Sequence, residues 1–498
     1  MKSIKSGSLD GIDAVKVEVE STFTKGLPSF SIVGMANTAI QESKDRIKSA
    51  LLTNDFKFPP KRITINLSPS EIAKKGSQID LSIALLIALQ EKQVDFEDFF
   101  VFGELGLDGG LKDTQSIFVI ILSLFRQGVL KNVLIPTKSF DKISTIPNIN
   151  IYCVDNLSQA IEFFSLNNRS KYKVENKIFN HPYIEILNQK YYYTTNYQND
   201  FLQIKGQPLG KKAALISAAG GHNMILEGSP GCGKTMIAKR LNDIMPPMSL
   251  EEILDIAKME SLDGNQPTFI PKRKFISPHH SSTKASIVGG TQIGQVAIAN
   301  HGLLFFDELP HFAKSVLEAL REPLEDYEIT VSRVNTKIKY PTKFTFVAAM
   351  NPCPCGNLLS KTKDCRCSDI EIKRYKNKIS DPFLDRIDLY VVMNEVTKDD
   401  KVTISTEDLH KQVLNAFKIQ KDRGQTQLNG KLDDKDIDKY CILEDEAKDI
   451  LELSIDRFKL SIRAVNKVLK VGRTIADLDR SKYIKKEHII ESLRYRKR

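Results

Sequence analysis

The stretch that decides the fold is Gly228-Ser229-Pro230-Gly231-Cys232-Gly233-Lys234-Thr235, GSPGCGKT, which fits the pattern G-x-x-x-x-G-K-[ST]. Just upstream, Asn223-Met224-Ile225-Leu226 reads as a short apolar strand. Downstream, Met236-Ile237-Ala238-Lys239-Arg240-Leu241 reads as a helix. A strand, a glycine-rich loop and a helix in that order make a phosphate cradle: loop N–H groups turn inward and the helix N-terminus adds a favourable dipole. These loop residues are the expected nucleotide-binding set. Lys234 is expected to reach the β- and γ-phosphates, and the Thr235 hydroxyl to ligate Mg²⁺.

Working outward, a chain of 498 residues has room for two to four domains with their own cores. Its 41% hydrophobic and 27% charged residues are ordinary for soluble globular protein. The longest apolar run, Ile117 to Phe125, is too short to span a bilayer. The opening MKSIKSGSLDG lacks the apolar core of a signal peptide. These readings predict a cytoplasmic protein with no membrane partner. A net charge of +10 favours an anionic partner without identifying one. Seven cysteines in a reducing compartment predict thiols or metal ligands and no disulfides.

Three blocks and a connector follow from patterning. Residues 1–165 mix alternating runs such as Ala14–Val19 and Arg62–Leu67, expected strands, with helical stretches at Ala39–Leu52 and Leu81–Leu89. Residues 166–199 are polar and tyrosine-rich, expected as a linker or a surface-packed strap. Residues 200–395 alternate strands and helices, which predicts a parallel α/β sheet. Residues 403–498 read as almost all helical and end in a basic tail, Arg494 to Arg498.

Within the α/β block, Leu303-Leu304-Phe305-Phe306-Asp307-Glu308 is a buried strand with two carboxylates at its C-terminal end, where open α/β sheets bind ligands. Asp307 is expected to hold Mg²⁺ through water and Glu308 to orient the attacking water. A third strand, Phe344 to Met350, ends at Asn351, whose amide is expected to sense the γ-phosphate.

These segments, with REPLE (Arg321 to Glu325), AAMNPCPCG (Ala348 to Gly356), DPFLDRIDL (Asp381 to Leu389) and LSIRAVNKVLKVGRTIADL (Leu460 to Leu478), resemble the Mg-chelatase-like AAA+ ATPases, most closely the bacterial ComM/YifB type. The N-terminal block resembles that family in QESKDRIKSAL (Gln41 to Leu51), INLSP (Ile65 to Pro69), KKGSQIDLSIAL (Lys74 to Leu85) and FGELGLDGGL (Phe102 to Leu111). The resemblance implies a P-loop AAA+ parallel sheet with a C-terminal helical lid, preceded by an α+β Lon-protease-like domain. It implies ring assembly with sites between neighbours. Arg386 becomes an arginine finger for the adjacent subunit's ATP, and Arg463 a sensor contacting phosphate from the lid of its own subunit.

The Lon-like resemblance carries a test of proteolysis. Where Lon has G-P-S-A-G, this chain reads Gly76-Ser77-Gln78-Ile79-Asp80, and an ungapped match puts Val119 at the lysine position. The Ser–Lys dyad is unsupported, so this domain is expected to be non-proteolytic, serving ring assembly or DNA holding.

Between Asp307 and Asn351, Glu328 to Thr342 reads as two β-runs around Arg333-Val334-Asn335-Thr336. It resembles the pore hairpin of this AAA+ clade, with Arg333, Lys337 and Lys339 as expected DNA-backbone contacts. His279 and His280, adjacent on an extended segment, are expected to point to opposite faces and not to form a metal pair. Cys353, Cys355, Cys365 and Cys367 place four thiols in the loop 352–368, a set that can close a tetrahedral Zn²⁺ site or remain as reduced thiols. The expected function is an ATP- and Mg²⁺-dependent hexameric motor on single-stranded or branched DNA, for branch migration or unwinding during recombination of incoming DNA, with recombination proteins as partners. The alternatives are a Mg-chelatase-type ATPase subunit and a nucleotide-gated platform or chaperone.

Overall fold

An apolar run with no polar alternation needs cover on both faces, and the strand before the P-loop receives it. In the computed structural model, which describes residues 2–166, 169–332, 337–396, 401 and 403–496, Met224–Gly228 lies inside a five-stranded sheet. The order is Phe275–Ile276, Leu303–Phe306, Thr345–Met350, Met224–Gly228, Leu389–Met393, and every neighbouring pair is parallel. The two-residue period of a strand divides its side chains between two cores. Leu226, Leu303, Phe305, Val347 and Val391 pack with helices Pro208–Gly220, Lys234–Leu241 and Thr406–Asp422. Ile225, Leu304, Phe306, Phe346 and Ala348 pack on the other face with Val316, Leu317 and Phe383.

The chain forms two units: residues 1–180 with 257–269, and residues 181–256 with 270–498. The first unit thus takes in 257–269, from within the expected ATPase block. It is built on an eight-stranded mixed sheet in the order Lys173–Val174, Asn150–Val154, Asn132–Pro136, Phe99–Val101, Lys2–Asp10, Asp13–Thr24, Arg62–Ser68, Ser29–Val33. The alternation in Asp13–Thr24 buries Val17 and Val19 completely, as its period requires. The helix Asp80–Ala88, apolar but for Asp80 and Ser82, is buried from Asp80 to Ile87, the fate of a helix without a polar face. Gln78 is fully buried and donates to the carbonyls of Gly7 (3.2 Å) and Lys75 (2.8 Å). Val119 is buried, and the Ser77 hydroxyl donates to the Glu104 carboxylate.

The tyrosine-rich stretch after residue 166 is more ordered than its composition suggests. Tyr183–Ile186 and Gln189–Tyr192 form a hairpin, turned through Leu187 and Asn188 at positive φ (50° and 62°). The second strand pairs with Met248–Ser249. Tyrosine rings supply what polar composition hides, a large apolar body with a polar tip: Tyr191 is buried edge-on against Phe417 at 5.0 Å.

The C-terminal region is helical, with Thr406–Asp422, Asp434–Tyr440, Asp445–Phe458, Ile462–Leu478 and Lys486–Leu493. Ser461 caps Ile462–Leu478 by accepting from the Ala464 N–H. This helix divides its apolar side chains between two cores. Val471 and Ile475 join the sheet core, while Val468 and Ala476 join the core of the C-terminal helices. Arg473 is fully buried, paired with Asp477 at 2.9 Å and donating to the carbonyls of Ser481 and Lys482. No described helix is long and apolar enough to cross a membrane.

His410, buried on Thr406–Asp422, is bonded through Nδ1 to the Tyr197 hydroxyl at 2.9 Å. Burial pushes its pKa down from 6.5 to about 4. The unfolded chain therefore takes up this proton first as pH falls below 6.5. Stability is unaffected above that pH and declines between 6.5 and 4, by about 3 kcal/mol in total. Denaturation midpoints from pH 7 to pH 5 should fall less steeply for His410→Gln than for the parent; parallel slopes would contradict the assignment.

Candidate nucleotide-binding site

The P-loop leaves its strand at Gly228 and enters the helix Lys234–Leu241. Gly231 and Gly233 have φ of +81° and +94°, values that side-chain-bearing residues rarely adopt. A Cβ at Gly231 would meet nothing within 4 Å, so its glycine serves backbone conformation and not crowding. Gly233 stands at the N-cap and no side chain caps this helix; its first N–H groups therefore remain available to an anion.

Lys234 is buried, and its Nζ donates to the carbonyls of Gly228 (2.6 Å) and Ser229 (3.0 Å) and to Asn351 Oδ1 (3.2 Å). Its oxygen partners are neutral, the Cys232 Sγ lies beside them at 3.9 Å, and burial lowers its pKa. The Ser229 hydroxyl is buried without a partner. Pro230 lies between Ser229 and Gly231 in the loop, and Cys232 is a buried filler whose thiol burial keeps protonated. A buried cation held by neutral oxygens, an unused buried hydroxyl and uncapped N–H groups together fit a polyphosphate.

Thr235 Oγ1 donates to Asp307 Oδ2 at 2.9 Å. That brings together the two groups expected to hold Mg²⁺. Glu308 is exposed at φ +53°; its N–H donates to Asp307 Oδ1 at 3.0 Å. The turn swings one carboxylate toward Thr235 and the next outward from the strand tip. Asn351 follows Thr345–Met350 directly. Lys234, Thr235, Asp307 and Asn351 therefore meet at the C-terminal ends of three adjacent strands.

Arg386 and Arg463 stand elsewhere, with each other. The guanidinium of Arg386 donates to Glu325 Oε2 and to the Pro382 carbonyl. Arg463 donates to Glu325 Oε1 at 3.1 Å. Glu325, the last residue of REPLE, thus gathers both arginines on one carboxylate. The loop carrying Arg386 is tied to the sheet by Asn223. Its amide donates to the Arg386 carbonyl (3.0 Å), its Oδ1 accepts from Phe346 N (3.0 Å), and its own N–H donates to Asp388 (3.0 Å). Neither Glu325 nor Asn223 stands out in the sequence. The only signal was a carboxylate closing a quoted motif, and a polar residue opening the P-loop strand.

The hairpin pairs Glu328–Ser332 with Lys337–Pro341, burying Ile329, Val331, Ile338 and Tyr340. Lys337 is exposed, whereas Lys339 is paired with Glu328 at 2.8 Å. Arg333 lies outside the described residues. His279 and His280 depart from expectation: their rings lie 4.2 Å apart, because the chain turns at His280 and Ser281 and is not extended there. The sulfurs of Cys353, Cys355, Cys365 and Cys367 lie within 4.8 Å of one another. A cavity of about 650 Å³, lined by Glu252, Arg273, His301, Thr345 and Lys431, opens at the N-terminal ends of the strands, opposite the P-loop.

Comparison with known proteins agrees with this architecture. The family described as magnesium chelatase, subunit ChlI, matches residues 200–401. Its companion descriptions, subunit ChlI of Mg-chelatase and magnesium chelatase, subunit ChlI C-terminal, match residues 19–139 and 403–496. The chain belongs to the Mg-chelatase-like AAA+ ATPases of the ComM/YifB type. It is 35% identical to the competence protein ComM of Haemophilus influenzae, over 98% of this chain and 95% of that protein. It is 34% identical to the uncharacterized protein YifB of Escherichia coli over the same shares. A magnesium-chelatase subunit ChlI homolog of Methanocaldococcus jannaschii matches at 25% identity, over 30% of this chain and 49% of that one.

Proposed function

We propose that this chain is an ATP-driven motor on DNA, working as a ring, a hexamer by family resemblance, whose nucleotide sites are completed by the neighbouring subunit. The observation that carries the reading is the division of the candidate residues. Lys234 bonds Asn351 and Thr235 bonds Asp307 at the tips of adjacent strands, while Arg386 and Arg463 share Glu325. Bound ATP with Mg²⁺ supplies the phosphoryl transfer to water that drives the motor. Lys234 and the P-loop N–H groups hold the phosphates, Thr235 and Asp307 hold the metal, Glu308 orients water, and Asn351 fixes Lys234. Arg386 extends to the neighbour's site and steadies the charge that develops there. Arg463 stands on the same carboxylate, and from the lid it contacts the phosphate of its own subunit.

DNA as the substrate is supported by the net charge of +10, by the exposed Lys337 on the hairpin, and by a full-length relative named as a competence protein. That name also favours recombination of incoming DNA as the setting. The buried Gln78 and Val119 support a non-proteolytic N-terminal unit that assists assembly or holds DNA. The chelatase alternative has the family descriptions on its side, but the relative bearing that name matches over 30% of this chain, where the competence protein matches over 98%. ATPase rates against single-stranded, duplex, forked and branched DNA, with gel filtration alongside, test the reading. Stimulation by at least one DNA and a ring-sized species are expected; no stimulation by any of them would remove it.

A further inference from the structure

The loop after Asn351 gathers four thiols into one point. Cys353 Sγ lies 3.4 Å from Cys355 Sγ and 3.6 Å from Cys365 Sγ, and the latter two are 3.6 Å apart. Cys367 completes a set within 4.8 Å. Four sulfurs placed tetrahedrally around one zinc ion, at Zn–S of about 2.3 Å, stand about 3.8 Å apart. A disulfide would need about 2.05 Å, and all four cysteines are free. Backbone donors face the sulfurs: Cys355 N–H to Cys367 Sγ at 3.4 Å, and the N–H groups of Asn357 and Arg366 to Cys355 Sγ. Such donors stabilise thiolates and orient metal ligands. Lys361, Lys363 and Arg366 outnumber the single carboxylate of Asp364 in the same loop. An all-sulfur tetrahedral set selects zinc or iron over hard cations.

We infer that these four thiolates hold a single zinc ion, and that the resulting knot braces the P-loop. The brace rests on the ATP-binding role of that loop; the metal site does not. Gly356, at φ +81°, lies so close to the P-loop that a Cβ there would fall 2.7 Å from Pro230 Cδ and Cγ. Asn351, two residues before Cys353, accepts from Lys234 at 3.2 Å. The chain between these two contacts turns through Cys353 and Cys355, so fixing those sulfurs fixes both points. On binding, the four thiols release their protons to solvent and four Zn–S bonds form, with no change of oxidation state.

Elemental analysis of full-length protein, purified without added metal and with any histidine tag removed, is expected to give about one zinc per chain. A mercurial thiol reagent should release it, and Cys355→Ser and Cys367→Ser should lower it. Cobalt added to metal-free protein should give the visible bands of tetrahedral thiolate coordination. Zinc below about a tenth per chain, or iron in its place, would overturn the metal assignment. Affinity for a fluorescent ADP analogue should fall at least about tenfold when zinc is removed from the parent protein, and recover when zinc is returned. Unchanged affinity, with circular dichroism unaltered, would overturn the brace and leave the metal. A parent protein that binds zinc but no analogue would instead remove the nucleotide reading.

Discussion

Replacing Arg386 with alanine is expected to lower ATP turnover by ~10³-fold or more, equivalent to about 4 kcal/mol of transition-state stabilisation, while nucleotide affinity changes little. The expectation follows from where Arg386 stands. It shares Glu325 with Arg463 and takes no part in the contacts among Lys234, Thr235, Asp307 and Asn351. Its removal therefore leaves the phosphate cradle of its own subunit intact. Glu325 keeps Arg463 as a partner and Asn223 keeps the Arg386 carbonyl, so the fold should survive. Steady-state turnover and equilibrium binding of a non-hydrolysable analogue check this together. A tenfold loss of affinity with turnover preserved at saturation would place Arg386 in ordinary binding and deny it the finger's role.

Lys234→Ala should abolish hydrolysis by a different route. Here binding itself should weaken, by about 10²-fold or more, because a buried charged donor is lost. The substitution also leaves the Gly228 and Ser229 carbonyls and Asn351 Oδ1 without their present donor, and unpaired buried acceptors are costly. Isothermal titration with ATP analogues separates the two variants: Lys234→Ala loses affinity and turnover together, Arg386→Ala turnover alone.

The nucleotide half of the site was legible because its requirements are local. The P-loop needs glycines at positive φ, a lysine and a hydroxyl at fixed spacing, and an apolar strand on one side. Asp307 and Asn351 were legible for a related reason: each follows directly on an unbroken apolar run, and strand tips are where a parallel sheet meets its ligand. Glu325 was not legible in this way. Its partners lie 61 and 138 residues along the chain, and no local pattern encodes that meeting. Asn223 joins three segments with one amide, and a short polar side chain before a strand reads equally well as a turn residue. In the tyrosine-rich stretch, composition alone left a linker and a packed strap open, for a physical reason. Polar composition suggests solvation, but tyrosine rings bury well when their hydroxyls stay at an edge, as Tyr191 does with its hydroxyl on Gln189 at 2.8 Å. His279 and His280 failed because period-two alternation holds only for extended backbone.

The measurement that bears most directly on the shared nucleotide site is complementation between two inactive proteins. Lys234→Ala and Arg386→Ala chains, each with its own affinity tag, would be co-expressed and purified through both tags, so that every assembly counted contains both. A subunit with intact Lys234 beside one with intact Arg386 makes a complete site. The mixed assemblies should therefore hydrolyse ATP well above either variant alone. Mixed assemblies as inactive as the separate variants would contradict a site built across two subunits.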